Sequence, residues 1–322
     1  MKSEQASINT NTNTNTNTNE ENLATYLNAF LQEQNINQIK FPRKKCCGTS
    51  RSLYCTECCK LLIDRERWPT SIQAGHLDLP FQLDIVLNDK RRSATGFHAH
   101  ILLKASRGDH NHNDCTYDGT GCQTAQTEEE RVRLIDIENN EPLPSYEGED
   151  NTYVLFPSEN SIPISSVASN IHRLVVLDCK WTKSSCQRLP EIDGLPKVHL
   201  DHPPSESFFW RWHNAGPGMC STLEAIYFAA VEVAEVSCCF DFDNDSDIDS
   251  DNEKRKALID LMWLFGIQRS ATALGARREG KPVPFSKDGK NMQRDLRKTK
   301  GSEKHSRDIE IGKQLKAKAT TH

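Results

Sequence analysis

RLVVLDCKW, Arg173 to Trp181, decides the fold class: a charged residue, an unbroken apolar run and then an aspartate, with none of the alternation of a half-wet strand. Strands of a parallel sheet covered on both faces read in this way, and ligands of open α/β sheets collect beyond the carboxyl ends of such strands. Asp178 stands at that end. A carboxylate there orients a substrate, accepts a proton, shapes a turn or caps the next element, and the run does not choose among these.

Working outward, YVLF (Tyr153 to Phe156) and a short helical stretch at Ser165 to Ile171 precede the run, and a polar connection with KVHL (Lys197 to Leu200) comes after it. A long helix starts at Ser221, with Leu223, Ile226, Tyr227, Ala230, Val231 and Ala234 at helical spacing, and Leu258, Leu261, Met262 and Phe265 mark another. Strand and helix in alternation predict an α/β fold with a largely parallel sheet. Further upstream, PFQLDIVL (Pro80 to Leu87) and FHAHILL (Phe97 to Leu103) read as strands, and the polar stretch 105–150 reads as a long surface loop. Leu23, Tyr26, Leu27, Phe30 and Leu31 predict a short amphipathic helix.

The 322 residues, 36% hydrophobic, suit one sizeable core with appendages. The expected division is a disordered Asn/Thr-rich tail at 1–22, a helix and Cys-rich module at 23–75, a main domain at 76–270 and a basic, mostly disordered tail at 271–322. The main domain carries the polar insert at 105–150 and an acidic loop at 240–256. There is no basic-then-apolar leader and no run of about 18 apolar residues, so a soluble intracellular protein without a membrane partner is expected, the nucleus ahead of the cytoplasm.

The net charge of -5 hides an asymmetry: Phe240 to Glu253 holds seven acidic residues, while Arg269 to His322 holds fifteen Lys/Arg against six Asp/Glu. A calcium loop starting at Asp241 would place Ser246 where glycine is required and Asn252 where the bidentate glutamate belongs, which excludes an EF-hand. The tail, including Arg294, Arg297, Lys298, Lys300, Lys304 and Arg307, tracks RNA phosphates, serves as a nuclear address or is simply solvated.

Twelve cysteines without a secretion signal, several as CC or CxxC, point to reduced thiols with some holding metal. Cys55-x2-Cys58 is half of a structural zinc site, and Cys46 and Cys47 are the candidate other half. Adjacent cysteines must then both reach one tetrahedral ion, where a spacing of two residues is usual, and Cys59 is the alternative ligand. A second set, His110, His112, Cys115 and Cys122, lies in a stretch with few apolar anchors and reads as solvated loop.

STLEA, Ser221 to Ala225, fits a capping box in which Ser221 and Glu224 satisfy backbone donors reciprocally. The same helix start, behind Ala215-Gly216-Pro217-Gly218, also reads as free N–H groups and a positive dipole end offered to an anionic ligand group. In FFWRWH, Phe208 to His213, Phe208 reads as core and Arg211 as a site residue that stacks on a base or clamps a carboxylate.

Taken in order, the cysteine cluster, LFPS (Leu155 to Ser158), LDCKW, FWRW and STLEAIYF resemble the DTW-domain family over roughly residues 40–270, apart from the 105–150 insert and the acidic run. That resemblance implies a SPOUT-like fold whose C-terminal part forms a trefoil-knot-like cofactor site. It implies S-adenosyl-L-methionine as donor of a 3-amino-3-carboxypropyl group to N3 of a transfer-RNA uridine, in the D loop by the nearest subgroup, with release of methylthioadenosine. By motif, Asp178 would be the general base and Trp181 would wall the pocket or stack on a base. Pro157, Ser158, Ser221, Thr222 and Glu224 would hold the donor, with Arg211 beside them. The family's Asp-x-Thr-Trp has Lys180 in place of threonine here, which pairs with Glu224, the donor carboxylate or an RNA phosphate if that contact is replaced. The alternatives are a catalytically impaired zinc-containing tRNA-binding protein and a S-adenosylmethionine-dependent RNA methyltransferase; the oligomeric state is open.

Overall fold

The computed structural model describes residues 15–32, 41–91, 94–108, 131–179, 189–210, 218–237, 253, 256–286, 288–292 and 295. The chain divides into two compact units, 1–207 with 215–267, and 208–214 with 268–322. In the second, the Phe209 and Trp210 rings lie 4.7 Å apart, and the Arg269 guanidinium sits 4.1 Å over the Phe285 ring.

The first unit is α/β, as expected. It opens with helix α1 (Asn15–Ala29), whose Leu23 and Leu27 are fully buried, and a small antiparallel hairpin of β1 (Lys44–Cys46) and β2 (Thr49–Arg51). Six strands then form a parallel sheet: β3 (Gln82–Asn88), β4 (Val132–Asp136), β5 (Thr152–Leu155), β6 (Ile162–Pro163), β7 (Arg173–Cys179) and β8 (Lys197–His199). Their spatial order is β4-β3-β7-β5-β8-β6, and each neighbouring pair runs parallel.

The apolar run of β7 is unbroken because both of its faces are covered. Leu174 and Val176 pair in register with Leu83 and Ile85 of β3 on the face that carries α2 (Gly96–Ser106) and α3 (Thr222–Ser237). Val175 and Leu177 join Val86, Val154, Ile135, Tyr146 and Ile192 in a core on the opposite face. That second face also holds a buried charge cluster. Asp84 accepts hydrogen bonds from Arg133 at 2.8 and 2.6 Å, from Arg173 at 3.0 Å and from the Tyr146 hydroxyl at 2.9 Å. These pairings penalise a register slip of β3 against β4 or β7, since any slip would strand a buried charge.

Several sequence expectations are corrected. FHAHILL is not a strand: it is α2, in which every residue from Gly96 to Leu103 is buried, so no polar face revealed the helical period. Residues 132–136 of the expected surface loop form the edge strand β4, whose Arg133 pairs with Asp84, as Arg131 just before the strand pairs with Asp78. Helix α1 starts inside the tail expected to be disordered, at Asn15, and α4 (Trp263–Arg278) runs past the expected boundary at 270. The remaining tail, the acidic stretch 240–252 and the His110, His112, Cys115, Cys122 set lie outside the described residues, except that 271–286, 288–292 and 295 are described. Among the described residues, no helix is long and apolar enough to cross a membrane.

Candidate functional site

Parallel pairing places the carboxyl ends of β3, β7, β5 and β8 along one edge, and three of the sequence-derived site residues gather there. Asp178 pairs with Leu87 at the end of β7 and faces the helices, 7% exposed. The N-termini of α2 and α3 converge on it. Its Oδ2 accepts the Gly96 backbone N–H at 2.6 Å, and the Thr222 hydroxyl donates to the same carboxylate. Burial drives this carboxyl up to about 6, while the Gly96 N–H and the Thr222 hydroxyl favour its ionised form and the Asp89 carboxylate just beyond the end of β3 adds a smaller upward push.

The start of α3 is a capping box. The Ser221 N–H donates to Glu224 Oε2 at 2.7 Å, and the Glu224 N–H donates to Ser221 Oγ at 3.4 Å. Glu224 is fully buried and also accepts the Ser207 hydroxyl at 2.7 Å, while the Leu223 N–H donates to Thr95 Oγ1 at 3.3 Å. The expectation of free N–H groups for an anionic ligand is therefore corrected at 221, 223 and 224: these donors are consumed within the fold. Ser221, Thr222 and Glu224 lie beneath the edge and hold Asp178 and the two helix starts in place.

Gly96 escaped the sequence reading, which found no turn or phosphate motif around it. A Cβ at this position would come within 2.7 Å of Ile85 Cγ2 and 3.0 Å of Asp178 Oδ2, so only glycine lets the first N–H of α2 reach the carboxylate. Pro157 and Ser158 come after β5 and are exposed. The Ser158 N–H donates to Ser161 Oγ at 3.0 Å, and that hydroxyl lies 2.9 Å from His199 Nδ1 at the end of β8, which gives the turn a fixed shape. Lys180, Trp181 and Arg211 lie outside the described residues.

A second constellation sits in the Cys-rich module. The sulfurs of Cys46, Cys47, Cys55 and Cys58 all lie within 4.8 Å of one another, with Cys46 and Cys58 at 3.4 Å and Cys46 and Cys47 at 4.0 Å. A tetrahedral zinc with bonds of about 2.3 Å sets its thiolates roughly 3.8 Å apart, so the group could hold such an ion. Adjacent cysteines reach one centre because Cys47 and Gly48 form the two-residue turn of the β1–β2 hairpin, with φ of 46° and 74°. Positive φ at both positions is the type I′ pattern, and it brings Cys47 back beside Cys46. Burial opposes ionisation of Cys55, yet the Cys58 and Glu57 backbone N–H groups bring its thiol down to about 7, which prepares a metal-binding thiolate. Cys59 stands outside this group, its thiol pushed up to about 11 by burial.

Comparison of the chain with protein-family models, with curated proteins and with solved structures gives no match.

Proposed function

We propose that the chain is a tRNA-uridine aminocarboxypropyltransferase with Asp178 as general base and a structural zinc on Cys46, Cys47, Cys55 and Cys58. The observation that carries the reading is Asp178 itself, a buried carboxyl at the carboxyl end of a central parallel strand with a pKa of about 6. A base poised near the working pH is ionised when substrate arrives and still takes a proton with useful driving force. N3 of uridine is a poor nucleophile until its proton leaves, and that proton would pass to Asp178.

The edge suits S-adenosylmethionine, a cationic donor, in one respect: the Asp178 and Asp89 carboxylates lie near enough to repel each other, and a positive group between them would relieve that repulsion. When bound, the donor supplies the 3-amino-3-carboxypropyl group and leaves as methylthioadenosine. Pro157 and Ser158, with Trp181 by motif, would line its site. Ser221, Thr222 and Glu224 would serve from beneath by fixing the base. A knotted, SPOUT-like arrangement belongs to the same reading. It is supported by the strand order, in which β7 and β8 slot between strands that precede them in the chain.

The test is to incubate the purified protein with S-adenosylmethionine and unmodified transfer RNA and to weigh the nucleosides after digestion. A uridine heavier by one aminocarboxypropyl group is expected, and a gain of one methyl would refute the chemistry. A second reading, a tRNA-binding protein without catalysis, draws on the internal use of the Ser221 and Glu224 groups. Calorimetry showing RNA binding but no donor binding would favour it.

A further inference from the structure

We infer that the metal knuckle is fastened to the carboxyl edge of the sheet, so that metal occupancy fixes the Asp178 carboxylate, with Tyr54, His98 and Arg91 as positioning residues. Two independent ties carry this.

The first runs through α2. Tyr54 directly precedes Cys55, and its hydroxyl is hydrogen-bonded to His98 Nε2 at 3.0 Å, with the two rings edge to face at 5.2 Å. His98 lies in the first turn of α2, two residues beyond the Gly96 N–H that holds Asp178. It is 1% exposed, and burial brings its ring down to about 3, so the imidazole is neutral and its Nε2 and the tyrosine hydroxyl share one hydrogen bond.

The second tie enters from the other end of the β3–α2 connection. Arg91 Nη1 donates to the Thr56 carbonyl at 2.9 Å, inside the Cys55-x2-Cys58 turn, while its Nε donates to Asp136 at the end of β4. The guanidinium lies 5.8 Å from the Phe97 ring, in the same first turn of α2. One side chain thus joins the metal-ligand turn, the sheet edge and the helix start.

The hairpin that carries Cys46 and Cys47 has three residues per strand, and an isolated two-stranded hairpin is marginal at best in water. Loss of the metal loosens the 55–58 turn, releases both ties and lets the Gly96 end of α2 drift from Asp178. The ties need only the fold and the metal. Their consequence for proton transfer rests on the transferase reading.

Hydrogen exchange on the full chain, followed by mass spectrometry without any substrate, separates the two. The metal-loaded protein is compared with protein stripped by chelation and with metal-loaded Tyr54→Phe and Arg91→Gln, metal content being verified in each variant. Stripping is expected to speed exchange in peptides spanning 94–103 about five- to tenfold, the scale of one lost buried hydrogen bond, with β5 unchanged. Each variant should reproduce part of that effect while keeping its metal. Faster exchange confined to 44–60, or spread evenly over the whole sheet, would overturn the tie. No change at 94–103 on stripping would overturn it too, whereas the expected acceleration there together with no modified uridine in the transfer assay would leave the tie standing and remove the transferase reading.

Discussion

Asp178→Asn tests the electrostatics of the site, because asparagine keeps the shape of the side chain while removing its charge and exchanging one acceptor oxygen for an amide NH2. The rise from the ordinary 3.8 to about 6 means that the folded protein binds the Asp178 proton more tightly than the unfolded chain does. The protonated carboxyl is therefore favoured at acid pH, and its contribution to stability is lost as pH rises from about 4 through about 6. At about 1.36 kcal/mol per pKa unit, that loss totals roughly 3 kcal/mol, of which about half falls between about pH 5 and pH 7.5. The carboxamide does not titrate and still offers one oxygen to the Gly96 N–H. Urea unfolding of both proteins at the two pH values should show the stability difference moving by that amount in favour of Asn, with unchanged m-values. Other titrating groups, Glu232 among them, cancel in the difference unless they couple to Asp178. A difference that stays constant with pH would show that Asp178 titrates as an ordinary surface carboxylate and would remove the poised base from the mechanism. Turnover in the same variant should fall at least about 100-fold.

Other expectations concern the supports of the site. Gly96→Ala should cost about 1–3 kcal/mol in chemical denaturation, since its methyl would meet Ile85 at 2.7 Å; wild-type stability would show that α2 starts elsewhere. Arg173→Met leaves Asp84 partly uncompensated in the core and should cost about 3 kcal/mol, read as a lowered urea midpoint; no change would mean that the remaining Arg133 and Tyr146 bonds suffice. Cys47→Ala should reduce bound zinc from one ion per chain to a small fraction, measured by plasma mass spectrometry after dialysis, and wild-type zinc affinity should weaken as acid protonates the thiolates. Full zinc retention in Cys47→Ala would exclude Cys47 as a ligand.

How much the sequence made legible depends on how each residue is covered. RLVVLD was readable because a strand buried on both faces leaves an unbroken apolar run. FHAHILL was not, because a helix buried all round leaves the same run, and two histidines whose rings burial keeps neutral looked polar. β4 was hidden by Arg131 and Arg133, whose partners Asp78 and Asp84 lie about fifty positions earlier in the chain. The four cysteines were recognisable by type, but their joint reach depended on the turn at Cys47 and Gly48, which shows only as dihedral angles. Gly96 was invisible for the strongest reason: its role arises from the approach of Ile85, Asp178 and Thr222, and no local pattern records that meeting.

The transferase assignment is met most directly by counting both products of one reaction. With unmodified transfer RNA and S-adenosylmethionine, equal amounts of aminocarboxypropyl-uridine and methylthioadenosine are expected from the wild-type protein, and neither above background from Asp178→Asn. Formation of S-adenosylhomocysteine with a methylated nucleoside, or full product from the Asp178→Asn variant, would contradict it.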